Sequence, residues 1–271
     1  MIDLHCHLLD GTPRGAESFE ASLEICRRAA TDGVRTIVAT PRWASQAQEP
    51  PLAFNECQQK LERLRQAMRE AMALRLGFLM EFRTDLPALL DKHGSSLALN
   101  GGRYLFVSLP SLHVPEDAED VWSKVAGKGF SILLARAECS PALRRDLKRL
   151  ARWLESGLML QLDAASITGM HGHEIQHFAL QCVKKYEGSV VVASGAGDAR
   201  GARNSSLALA REQLLKKNPS RRVRRLLYET PSMMIADDKN IPGDTDAHAF
   251  RLSRISRLRS LRSHRAVPDE S

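Results

Sequence analysis

Met1-Ile2-Asp3-Leu4-His5-Cys6-His7 opens the chain and decides how the rest of it is read. An apolar run ends in a His-x-His pair, and in a β-strand residues two apart point to the same side. His5 and His7 can therefore present two imidazoles to one divalent ion, in the way neutral histidines hold zinc.

Outward from this strand, runs rich in Val, Ile and Leu recur at 34–39, 75–81, 103–109, 130–135, 158–163 and 189–194, with amphipathic stretches between them. The alternation predicts βα units around a parallel sheet. One helix is expected from Ser18 to Asp32, with Phe19, Leu23, Cys26 and Ala30 on one face and Gly33 at its end. A longer one, 52–73, repeats Phe54, Cys57, Leu61, Leu64, Met68 and Ala71 at helical spacing. Both stripes read as core packing.

Composition narrows the class. With 271 residues, 43% of them hydrophobic, the chain has material for one large α/β domain, and disorder of the whole is excluded. Five cysteines, odd in number and without CxxC spacing, suit reduced thiols better than a disulfide framework. No apolar run approaches the length of a bilayer span and no signal-peptide pattern is present, so a soluble, cytoplasmic protein is expected.

The formal charge of +7 is unevenly placed. Arg251, Arg254, Arg257, Arg259, Arg262 and Arg265 follow one another without an intervening acid, beyond a turn-like Ile241-Pro242-Gly243-Asp244. The expected organisation is a single domain, 1–238, followed by a linker and Arg-rich tail, 239–271. Leu252, Ile255, Leu258 and Leu261 recur every third residue, a period that drifts around a helix, so the tail reads as solvated and unstructured. Its natural contacts are an acidic protein segment or anionic lipid; nucleic acid is disfavoured because aromatic residues for stacking are absent apart from Phe250.

The stretches MIDLHCHLLDG, ESFEASLEICRRAATDGVRTIVATP, the segment around Glu81, LNGGRYLFVSLP, QLDAASITG and VVASGAGDARGARNSSLALA together resemble the polymerase-and-histidinol-phosphatase (PHP) family. Within it they are most similar to the metal-dependent tyrosine phosphatases of bacterial capsule and exopolysaccharide operons. The resemblance spans residues 1–237. It implies a distorted, TIM-like (β/α)7 barrel with its site at the C-terminal ends of the strands. It also implies hydrolysis of phosphotyrosine on a cytoplasmic tyrosine kinase of polysaccharide export, by water activated on two or three divalent cations such as manganese or zinc.

The resemblance assigns metal-ligand roles to His5, His7 and Glu81. Other family ligand positions carry different residues: Arg14, Arg42, Ser108, Arg136, Gly195 and Gly197. A guanidinium repels a cation and cannot ligate it, so Arg14, Arg42 and Arg136 argue against a polynuclear centre. Two readings stay open. Either the residual set still holds one ion and the phosphatase chemistry survives impaired, with Arg103 or Arg203 steadying phosphate, or the protein is a pseudophosphatase. In the second case Arg42, Arg136, Arg103 and Arg203 bind a phosphorylated or acidic partner without cleaving it, or pair with Glu81, Glu138 or Asp163 and plug the site. Asp163, Asp198 and His113 are the candidates to replace a missing ligand.

A competing motif is His173-Glu174-Ile175-Gln176-His177, the H-E-x-x-H spacing of zinc proteases, with His171 beside it. It requires a third ligand that the sequence does not supply.

Overall fold

Strands made of consecutive Val, Ile and Leu can bury both faces only if helices cover them, which is the setting of a parallel sheet. The computed structural model describes residues 1–197 and 206–236. Nine strands form there: β1 Ile2–Cys6, β2 Thr36–Ala39, β3 Arg42–Trp43, β4 Ala73–Leu76, β5 Leu79–Glu81, β6 Tyr104–Ser108, β7 Ser131–Ala135, β8 Met159–Asp163 and β9 Val190–Ala193. Every pairing between them is parallel.

The α/β class holds, but a closed (β/α)7 barrel is not what the ladders make. They form two sheets, ordered β1-β2-β4 and β3-β5-β6-β7-β8-β9, with a lone bridge between Cys6 and Ala196. The expected strand at 34–39 forms as β2 and breaks off before the short additional strand β3, and the expected strand at 75–81 is divided between β4 and β5. At the first break Pro41 has no N–H to give a ladder, and its carbonyl accepts from Leu79 instead. At the second, Gly77 lies so close to Leu99 that a Cβ there would meet Leu99 Cδ2 at 2.7 Å. The backbone turns where a side chain cannot fit.

Inside the strands, Leu4, Val38, Leu79, Phe106, Leu133, Met159 and Val191 form one buried cluster, closed by Met234 from the last helix, Thr230–Met234. A second, larger cluster joins the outer strand faces to the helices. Helix Phe19–Thr31 starts where Ser18 Oγ accepts from Ala21 N–H, 3.2 Å away. The second predicted helix stops early, as Phe54–Met68, because Arg69 turns to φ 50° and a 3-10 turn follows.

Register carries the site. Glu81 pairs with Ser108, Ser108 with Ala135, Ala135 with Gln161, and Asp163 with Ala193, which aligns the strand ends on one rim. Among the described residues no helix is long and apolar enough to cross a membrane. The boundary expected after Asp238 and the Arg-rich tail lie outside the described residues, as do Arg203 and Asp198.

Candidate functional site

Asp3 fixes the strand that carries the histidines. Its carboxylate accepts from Ser194 N–H at 2.9 Å and Ser194 Oγ at 2.5 Å, and from the backbone N–H of His5 at 3.2 Å. Burial raises its pKa to about 6 against the pull of those donors. The clamp joins β1 to the segment after β9, where Gly195 N–H donates to His5 O and His7 N–H to Ala196 O.

His5 and His7 are buried and face each other, Nε2 to Nε2 at 3.2 Å. His5 Nδ1 lies 3.2 Å from Gln161 Oε1, and the geometry assigns the proton to Nδ1 because that oxygen only accepts. The His5 ring also meets Phe106 edge-on, centroids 5.0 Å apart. Burial first, then the charges of Arg136 and Arg14, lower the His5 pKa to about 3, so the imidazole is neutral at physiological pH.

Next along the rim, Arg136 Nε is 2.6 Å from Asp163 Oδ2. Gln161 Nε2 donates to the other Asp163 oxygen at 2.9 Å, and His5 Nδ1 lies 3.7 Å from it. Burial works against the Arg136 charge, but Asp163, Cys139 and Glu138 outweigh it and leave the guanidinium pKa raised. Arg136 takes φ 53°, a left-handed conformation costly for a residue with a Cβ. Gly195 makes room for the pair, since a Cβ there would approach Asp163 Oδ1 to 3.1 Å.

Beneath Arg136 lies a buried relay. Glu138 Oε1 accepts from Asp163 N–H at 2.9 Å and from Ser166 Oγ at 2.7 Å, and Ser166 Oγ is 3.0 Å from His171 Nδ1. Burial and the neighbouring Asp163 push the Glu138 pKa up to about 7 despite those donors. Cys139 Sγ is 3.9 Å from His171 Nδ1, and burial holds this thiol protonated.

Glu81 is occupied elsewhere. Arg42 Nη2 binds its Oε1, while Ser45 N–H and Oγ donate to Oε2 at 3.0 and 3.1 Å. Burial alone would raise its pKa, but Ser45 and Arg42 together hold it below the ordinary carboxylate range.

The predicted residues thus separate into two groups. His5, His7, Arg136, Asp163 and Gly195 share one cluster, with Arg14 near enough to affect the His5 charge. Arg42 and Glu81 form a second. Ser108 ends β6 on the same rim, whereas Arg103 precedes that strand at its opposite end, where its guanidinium lies over Tyr104. That corrects the expectation that Arg103 lines the pocket. Gly197 is buried and His113 is exposed.

Metal-dependent chemistry needs a donor set. Among the described residues no three His, Cys, Asp or Glu side chains are grouped to hold an ion. Two rim carboxylates are already neutralised by guanidinium, Asp163 by Arg136 and Glu81 by Arg42. The described residues do not fit a polynuclear centre. The H-E-x-x-H segment fares no better: His173 and His177 stack on helix His173–Lys185, but Glu174 is paired with Arg144 at 3.1 Å.

Sequence reasoning missed Gln161, Ser166 and Cys139 as members of the cluster. A signal for the first was there: in Met159-Leu160-Gln161-Leu162-Asp163 two polar residues alternate inside a buried strand, and period two places both on one face. Ser166 and Cys139 carry no such pattern.

A family model described as capsular polysaccharide synthesis, CpsB/CapC, matches residues 1–236. The tyrosine-protein phosphatase YwqE of Bacillus subtilis is 29% identical over 187 residues, 68% of this chain and 72% of YwqE. CapC of Staphylococcus aureus is 25% identical over 189 residues, again 68% of this chain and 72% of CapC. Among solved structures, one from work on YwqE of Bacillus subtilis and CpsB of Streptococcus pneumoniae, described as metal-dependent tyrosine phosphatases, superposes with a TM-score of 0.78 at 25% identity. It covers 87% of this chain and 94% of that one.

Proposed function

This chain belongs to the CpsB/CapC family of capsular polysaccharide synthesis, and we propose that within that family it is a pseudophosphatase. In this reading it binds a phosphorylated or acidic segment at the rim where its relatives run metal-dependent hydrolysis, and it does not cleave that segment. The partner that family resemblance suggests is a cytoplasmic tyrosine kinase of polysaccharide export.

One observation carries the proposal. At two places on the rim an arginine neutralises the carboxylate that would otherwise attract a cation, Arg136 at Asp163 and Arg42 at Glu81. A fixed guanidinium supplies positive charge without a metal, yet it cannot activate water. Both arginines are about a third open to solvent, 33% and 31% of the side chain, so donors remain for the oxygens of a phosphate.

The test is a titration of the purified protein with a phosphotyrosine peptide in the presence of chelator. Binding that survives chelation and is lost in Arg42→Ala/Arg136→Ala supports the reading. Affinity unchanged by that double substitution contradicts it.

A further inference from the structure

The last helices build a groove away from this rim. Arg211 and Leu215 from helix Leu207–Leu215 form one side, and Val223, Arg224 and Tyr228 from the run Ser220–Glu229 form the other, around a cavity of about 570 Å³. Thr230–Met234, which continues this run, puts Met234 into the buried cluster that also holds Tyr104 and Met159, the first residues of β6 and β8. The groove therefore belongs to the end of the sheets opposite Asp163 and Ser108.

We infer that this groove is a docking surface for an acidic peptide segment with an apolar anchor. Its floor offers aliphatic and aromatic contact: Leu215 and Tyr228 are 36% and 37% exposed, beside the buried Val223. Its charge is one-sided. Residues 206–236 hold seven Lys and Arg against Glu212 and Glu229. Among the described residues, Arg211, Lys216, Lys217 and Arg221 are exposed and make no ion pair.

The groove's one internal pair, Arg224 to Glu229 at 2.9 Å, has side chains 72% and 45% exposed. Such a pair contributes little and exchanges readily for an incoming carboxylate. Acidic residues on a ligand complement this one-sided charge and speed its encounter. A concave, apolar-floored site suits an inserted side chain better than a flat lipid surface. The run from Arg251 to Arg265 carries the same sign of charge and does not complement the groove.

The experiment uses the full chain and a fluorescein-labelled, glutamate-rich peptide with a central Leu-Phe pair, read by anisotropy at low salt, beside the same peptide with glutamine for each glutamate. Binding should weaken about tenfold or more in Arg211→Glu/Arg224→Glu, in Tyr228→Ala and with the glutamine peptide. Lys124→Ala, an exposed cation that lines neither the groove nor the strand-end rim, should bind as the parent does. All substituted side chains at the groove are exposed, and a retained melting temperature shows that the fold is intact. Equal affinity across the groove variants overturns the inference, as does capture by phosphatidylserine vesicles without capture of the peptide.

Discussion

Arg136 Nε stands 2.6 Å from Asp163 Oδ2, and the same carboxylate takes Gln161 Nε2 on its other oxygen, so a single buried aspartate is held by a residue of its own strand and by one just past the neighbouring strand. This pair places a fixed positive charge beside the His5–His7 face and accounts for part of the depressed His5 pKa. Its removal defines the first prediction.

Arg136→Ala leaves the Asp163 charge buried with Gln161 as its remaining side-chain donor, a loss on the order of 3 kcal/mol for a partly buried pair. Urea unfolding should show it as a lower midpoint with an unchanged slope. Arg136→Ala/Asp163→Asn should recover part of the loss, since the unpaired charge is gone.

Glu138 makes stability depend on pH. Its pKa rises from an ordinary 4.5 to about 7 on folding, so between those values the folded protein keeps a proton that the unfolded chain has released. This group's contribution is most favourable on the acid side and falls as pH rises through that range. Glu138→Gln keeps the oxygen that accepts from Asp163 and Ser166, and removes the charge. Melting temperatures of parent and variant should converge near pH 5 and separate by pH 8, with the variant higher. A gap that is the same at both values refutes the assignment.

Gly77→Ala should destabilise by about 1–3 kcal/mol, since the added methyl falls 2.7 Å from Leu99 Cδ2 and 3.2 Å from Leu99 Cα. Coupling with Leu99→Ala, measured by a double-mutant cycle in urea, should be favourable, because truncating Leu99 opens the space the methyl needs.

Chelation should leave the melting temperature where it is. A protein that binds an ion only when folded gains stability with ion concentration. Here the carboxylates are already balanced by Arg136 and Arg42. A drop in melting temperature on adding chelator, reversed by manganese or zinc, would contradict that balance.

Much of the fold was legible because buried parallel strands write themselves as apolar runs: 103–109 contains Tyr104–Ser108 and 158–163 contains Met159–Asp163. The breaks at Pro41 and Gly77 were not legible, because they depend on what lies across the sheet, as Leu99 does at Gly77. The site divided in the same way. His5 and His7 followed from period two along the first strand and the residue after it, whereas the choice of Asp163 for Arg136 and Glu81 for Arg42 is set by register between strands distant in sequence. Sequence left those arginines with several acidic partners, and the inter-strand register selects among them.

The most direct test of the central claim is phosphotyrosine-peptide hydrolysis by the purified protein with added manganese, cobalt or zinc, run beside His5→Ala/His7→Ala. A pseudophosphatase gives no turnover above that control with any of the metals. Turnover that requires a metal and vanishes in the control would show that His5 and His7 still support hydrolysis, and would contradict the account.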